Sequence, residues 1–247
     1  MSIETQADLE ALKRVGRIVR LVLERMQKAV RPGITTAELD RIGGAVLREH
    51  GARSAPRIVY GFPADVLISV NDEAVHGIPG PRKLAAGDLV KLDVTAEKDG
   101  YMADAAVTVA VPPAPEERRR LVAAARAAFN RAMEVARAGN RVSDIGRAVE
   151  TEVTRRGFSV LRDLNGHGIG RTIHEPPTVP NYYDAGMRRV LTEGLVITVE
   201  PLVAERSIGS YEDHDGWTIR TDGGDLSAHH EHTLVITRGA PILLTAA

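Results

Sequence analysis

The sequence predicts an α+β fold built from two related halves, and three observations carry that prediction. Apolar residues recur at helical spacing over residues 5–30, and a long Ala- and Arg-rich helix is predicted over 115–138. Between them, Asp99-Gly100 joins two Val- and Leu-rich runs, residues 89–94 and 105–111, as a two-residue hairpin. The third observation is an internal repeat. Arg31-Pro32-Gly33 through Gly51 matches Arg137-Ala138-Gly139 through Gly157 at an offset of 106, and residues 87–93 match residues 194–200 at an offset of 107. One copy of the repeated strand ends on Asp93 and the other on Glu200, so a site on the pseudo-twofold axis would receive a carboxylate from each half.

In chain order, Leu12, Val15, Val19, Val22, Met26 and Val30 form one stripe of a first helix, which Arg31-Pro32-Gly33 stops. Thr35-Thr36-Ala37-Glu38 is a capping box for a second helix reaching about Gly51. Short strands are predicted at residues 54–60 and 66–70, followed by a loop over 71–81. Pro115 suits the first turn of the third helix, Gly139-Asn140 ends it, and Ser143 is the predicted cap of a fourth helix reaching Gly157. From Phe158 onward, strands alternate with loops rich in Gly, Pro and Asp.

Composition narrows the chemistry. With 43% hydrophobic residues, 26% charged residues and a net charge of -1, nothing points to nucleic acid or a membrane surface. The absence of cysteine excludes disulfides, zinc fingers and thiol catalysis, so a transition metal would need His and carboxylate ligands. No signal peptide or membrane-length apolar run is evident, and the expectation is a cytoplasmic protein.

If Lys98 pairs with Tyr101 in the hairpin, Asp93 falls opposite Ala106 and Thr95 opposite Asp104. Asp93 and Asp104 then share a face as diagonal neighbours. On the hairpin alone, an exposed acidic face explains this pair as well as a cation between them does. The remaining candidates are His76, the Gly166-His167-Gly168-Ile169-Gly170 run with His174 behind it, Glu200, and Glu231 in His229-His230-Glu231-His232. Four carboxylates and several histidines suit one or two divalent ions. Strand alternation puts Glu231 on the face opposite His230 and His232, which makes those neighbouring histidines structural, while plain surface also accounts for the His229-His230 pair. Neither a dinucleotide fingerprint nor a Gly-x-Ser-x-Gly elbow occurs.

Taken together, residues 68–79, Leu92-Asp93-Val94-Thr95 through Asp104, Gly166 to Gly170 with His174-Glu175, Thr198-Val199-Glu200-Pro201, and the run from Asp215 to Thr233 resemble the type I methionine aminopeptidases, in order and over nearly the whole chain. The resemblance implies the pita-bread fold, a curved antiparallel sheet covered by helices, as a single catalytic domain over residues 1–247. Its halves would span roughly 5–111 and 112–247, with no separate N-terminal domain.

The resemblance also implies two divalent metal ions (Co, Mn, Fe, Ni or Zn). Asp104 and Glu231 would bridge them, Asp93 would complete one site, and His167 with Glu200 the other. The implied reaction removes the initiator methionine from nascent polypeptides with a small second residue, through metal-bound hydroxide attacking the Met–Xaa bond. Glu200 would carry the proton, His174 would contact the scissile amide, and His76 would stabilise the tetrahedral intermediate or the leaving amine. Phe62, Leu67, Ile173 and Trp217 would form the methionine pocket. As partners, the resemblance implies the N-terminal Met of nascent chains and a transient ribosome contact; with no unmatched domain or coiled-coil seam in the sequence, a monomer is the default expectation. A prolidase or proline aminopeptidase of the same fold is the first alternative; an inactive binding module of that fold is the second.

Overall fold

The computed structural model describes residues 1–246. Helix α1, Gln6–Ala29, starts on Thr5, whose hydroxyl accepts from the Asp8 N–H while the Asp8 carboxylate accepts from the Thr5 N–H. Its stripe of Leu12, Val15, Val19, Val22 and Met26 is buried. Helix α2, Thr36–Glu49, opens on the predicted box formed by Thr35 and Glu38. There follow β1 (Arg53–Ser54), α3 (Ala55–Tyr60), β2 (Leu67–Val70), β3 (Glu73–Val75), β4 (Leu89–Lys98) and β5 (Tyr101–Ala110). The second half holds α4 (Glu116–Met133), α5 (Val142–Arg155), β6 (Ser159–Val160), β7 (Gly166–Gly168), β8 (Glu175–Val179), β9 (Val196–Val199) and β10 (Leu202–Ala204). It ends with β11 (Ser210–Glu212), β12 (Ile219–Thr221), β13 (Ser227–Val235) and β14 (Ile242–Leu243).

Four local expectations are corrected. The strand expected over 54–60 is helix α3, because Ser54 accepts from the Arg57 N–H, Pro56 suits a first turn, and Gly61 closes the helix at φ 75°. The loop over 71–81 contains β3, which pairs with β12 rather than with the main sheet. Helix α4 stops at Met133, and the residues up to Gly139 form turns. Helix α5 is capped from Arg141, whose N–H donates to Asp144, while Ser143 lies inside the first turn.

The hairpin takes the predicted register, with Asp93 opposite Ala106, Thr95 opposite Asp104 and Lys98 opposite Tyr101. Asp99 and Gly100, at φ 52° and 81°, supply the two positive angles its turn needs. An 11-stranded antiparallel sheet runs β1-β4-β5-β13-β9-β7-β8 along its main path. The order β4-β5-β13-β9 is symmetric about the β5–β13 pair, where an axis relating the halves would lie.

The repeat is physical. Gly33 and Gly139 both have positive φ, 87° and 95°, and their N–H groups donate to Leu84 and Leu191, themselves 107 residues apart. Two large buried clusters are centred on the two halves, the first also taking in Ile169, Ile173, Val196, Val235 and Leu244 and the second Leu89. Helices α1 and α2 cover β4 and β5 in one, and α4 and α5 pack with residues of β9, β10 and β13 in the other. Among the described residues no helix is long and apolar enough to cross a membrane.

Candidate active site

Sheet order assembles the site. Asp93 comes from β4, Asp104 from β5, Glu231 from β13, Glu200 directly follows β9, and His167 lies in β7, so five successive strands each supply one predicted ligand. All five line one cavity of about 570 Å³. Asp93 and Glu231 both pair with Ala106, and the pairing of His232 with Val199 sets Glu231 beside Glu200.

Neighbouring hydroxyls and carbonyls hold these groups in place. The Thr198 hydroxyl donates to Glu200 Oε2 at 2.7 Å and accepts from the His167 N–H at 3.0 Å. Thr233 clasps the Asp104 backbone, its hydroxyl donating to the carbonyl and accepting from the N–H, both at 2.8 Å. His167 Nδ1 lies 2.9 Å from the Gly168 carbonyl, which assigns the ring proton to Nδ1 and leaves the Nε2 lone pair facing Glu200 Oε2, 3.7 Å away.

The electrostatics suit a bound cation. Burial pushes the Asp93 carboxyl well up, with Asp104 and Glu200 adding to it, and pushes Glu231 well up, helped by Asp104, Glu200 and Asp93. Burial also raises Asp104, and raises Glu200 to about 8. Six buried side-chain polar atoms among the described residues have no hydrogen-bond partner: Asp93 Oδ1, Asp104 Oδ1, Asn165 Oδ1, Glu231 Oε1 and both ring nitrogens of His229. Every one of them belongs to a residue lining this cavity. Clustered acids with unpaired oxygens and a neutral imidazole match a divalent ion. Two donor groups, Asp104 with His167 and Glu231, and Asp93 with His229 and Glu231, each bring their atoms within 4.8 Å of one another.

The remaining predicted residues reach the same cavity. The His167 and His174 rings lie 4.2 Å apart between centroids, and Tyr60 Oη lies 2.6 Å from His174 Nδ1. Burial lowers the pKa of both histidines, so both are neutral near pH 7. The accessible face of His76 opens into the cavity; the surrounding protein, then His174, lower its pKa to about 4. Phe62 meets Trp217 edge to face at 5.2 Å, and with Ala64, Leu67 and Ile78 they form a small apolar cluster of their own. Ile173 also lines the cavity, although it packs with the core beneath α1.

A family model described as metallopeptidase family M24 matches residues 10–238. The chain belongs to metallopeptidase family M24. It is 44% identical over 247 residues to "Methionine aminopeptidase 2" of Bacillus subtilis, covering 99% of each chain. It superposes on the crystal structure of methionine aminopeptidase from Thermotoga maritima with a TM-score of 0.96, at 34% identity and with all of both chains covered. A match to the Xaa-Pro dipeptidase from Bacillus anthracis covers 62% of that chain at 22% identity and a TM-score of 0.79, which is a likeness of fold. The architecture is thus the pita-bread fold, and M24 membership makes this an enzyme that uses divalent metal, with the carboxylate and imidazole cluster as its candidate holder.

Two residues lining this cavity escape the sequence reading. His229 is not surface: it is 2% exposed, and His230, on the other face of β13, packs against Phe129 of α4. The alternation that separates His230 and His232 from Glu231 puts His229 on the Glu231 side, so the signal was present. Tyr60 carried no such signal, because its contact with His174 spans 114 positions and depends on α3 being helical.

Proposed function

We propose that this chain removes N-terminal methionine from polypeptides with a small second residue, by metal-assisted hydrolysis of the Met–Xaa bond. The observation that carries the reading is that the unpartnered buried polar atoms all belong to residues of one cavity, which also contains an apolar slot. In this reading two divalent ions (Co, Mn, Fe, Ni or Zn) are held by five side chains. Asp93, Asp104, His167, Glu200 and Glu231 would be those five holders. Four carboxylates and a neutral imidazole balance two dications. The bound ions supply Lewis-acid polarisation of the scissile carbonyl and activation of water.

The chain's own residues do the rest. Phe62, Leu67, Ile173 and Trp217 offer an apolar slot for an unbranched thioether. Glu200, held by Thr198, accepts and returns the proton. Tyr60 donates its hydroxyl proton to His174 Nδ1, which leaves Nε2–H as a donor towards the scissile amide. His76, which also lines the cavity, steadies the charge that develops on the carbonyl oxygen or the leaving amine. The reading places the enzyme in the cytosol as a monomer, meeting nascent chains in transient contact with the ribosome.

A peptide comparison tests it. Met-Ala-Ser should release methionine, the release should stop with a chelator, and an Ala-Pro peptide should stay intact. Cleavage of the Ala-Pro peptide without Met-Ala-Ser would assign the site to proline-directed hydrolysis, and cleavage of neither by metal-loaded protein would favour a binding module.

A further inference from the structure

We propose that His229 is a sixth protein donor of the metal centre, so that each of the two metal positions receives one imidazole. The inference rests on reading the cavity as a dinuclear site and extends the ligand set derived for it. His229 Nε2 lies 3.6 Å from Glu231 Oε2, nearly the spacing of His167 Nε2 from Glu200 Oε2 at 3.7 Å. Two donors bonded to one first-row ion at about 2.0–2.2 Å lie roughly 3 to 4 Å apart, so both spacings suit a shared ion. With Asp93 and Glu231, His229 completes a donor group whose atoms all fall within 4.8 Å of one another.

The ring is built into place. The Thr108 hydroxyl accepts from the His229 N–H and donates to the His229 carbonyl, both at 2.8 Å, which fixes the backbone on the site face of β13. The side chain is 2% exposed, yet neither ring nitrogen has a hydrogen-bond partner. An imidazole this deep without partners is costly unless it serves a ligand. Lys91 of β4, fully buried two strands away across β5, is committed elsewhere, donating to the Asn71 carbonyl at 2.6 Å and to Ser227. A neutral second imidazole leaves the charge balance of four carboxylates intact. It also shifts the preference of the Asp93 side from oxygen-seeking ions towards Co, Ni and Zn.

Co2+-loaded protein tests this without any substrate. Wild-type protein in water should show two hyperfine-shifted exchangeable imidazole N–H resonances, from His167 and His229, whereas His229→Gln should keep one. Calorimetric Co2+ titration of the metal-free proteins should show one binding step of His229→Gln weakened at least tenfold, with the other step near the wild-type value. The melting points of the two metal-free proteins check that the variant is folded. A single imidazole resonance from wild-type protein carrying two Co2+ would overturn the assignment even if the variant does not fold, and so would identical isotherms. Failure of wild-type protein to bind Co2+ at all would instead remove the dinuclear reading on which the assignment stands.

Discussion

Asp93 and Glu231 pair with the same residue, Ala106, from opposite sides of β5. Cross-strand partners share a face of the sheet, so a single methyl group stands between the two carboxylates. Ala106 is fully buried between them, so a larger side chain would press on both acids. Ala106→Val should overpack by about 1–3 kcal/mol and weaken divalent-metal binding more than tenfold. Thermal unfolding and metal titration measure the two effects. Unchanged metal affinity would show that Ala106 does not set the spacing.

His174 is read as chemistry rather than ligation. His174→Ala should keep its metal by elemental analysis and lose about 10²–10⁴ in kcat. Tyr60→Phe removes only the hydroxyl that orients the ring, so its loss should be smaller, about tenfold. Metal loss from the His174 variant would place that ring among the ligands.

Gly33 and Gly139 hold the same left-handed conformation at equivalent places in the two halves. Replacing either with alanine should cost about 1–2 kcal/mol, with similar values for both and a nearly additive double variant. Denaturant unfolding reads all three. A large cost at one position and none at the other would break the structural equivalence of the halves.

Acid lability should trace in part to Glu152. Hydrogen bonds from Arg155, joined by Arg156, hold its carboxyl down at about 2 against the ordinary 4.5. Because the folded value is the lower one, its contribution is fully present above about pH 4.5 and is lost as pH falls towards 2. Glu152→Gln should therefore flatten the fall in melting temperature over that interval. An unchanged acid limb would show that the pair contributes nothing to it.

The parts of this molecule that were legible in sequence are those set by short-range rules. The Asp99-Gly100 turn determined the hairpin register, and with it the shared face of Asp93 and Asp104. The offsets of 106 and 107 located Glu200 as the counterpart of Asp93. Short elements read less well. Helix α3 holds six residues, and its β-branched Ile58 and Val59 look like strand until Ser54, Pro56 and Gly61 are weighed as cap, first turn and stop. Contacts over long separations carried no local trace, and Tyr60 with His174 is the clearest of them. His229 is different: alternation from Glu231 placed it on the right face, but a polar residue in a histidine-rich run reads as surface until its burial is known.

Buried carboxylates on successive strands are proposed to form the metal centre that hydrolyses the Met–Xaa bond. Methionine release from Met-Ala-Ser, followed as Co2+ is added stepwise to metal-free protein and to its Asp104→Asn variant, tests it most directly. Wild-type protein should be inactive in chelator and gain activity with added metal, while Asp104→Asn binds metal weakly and releases almost no methionine at any Co2+ level. Full release in chelator, or a variant with full metal and full rate, would contradict the account.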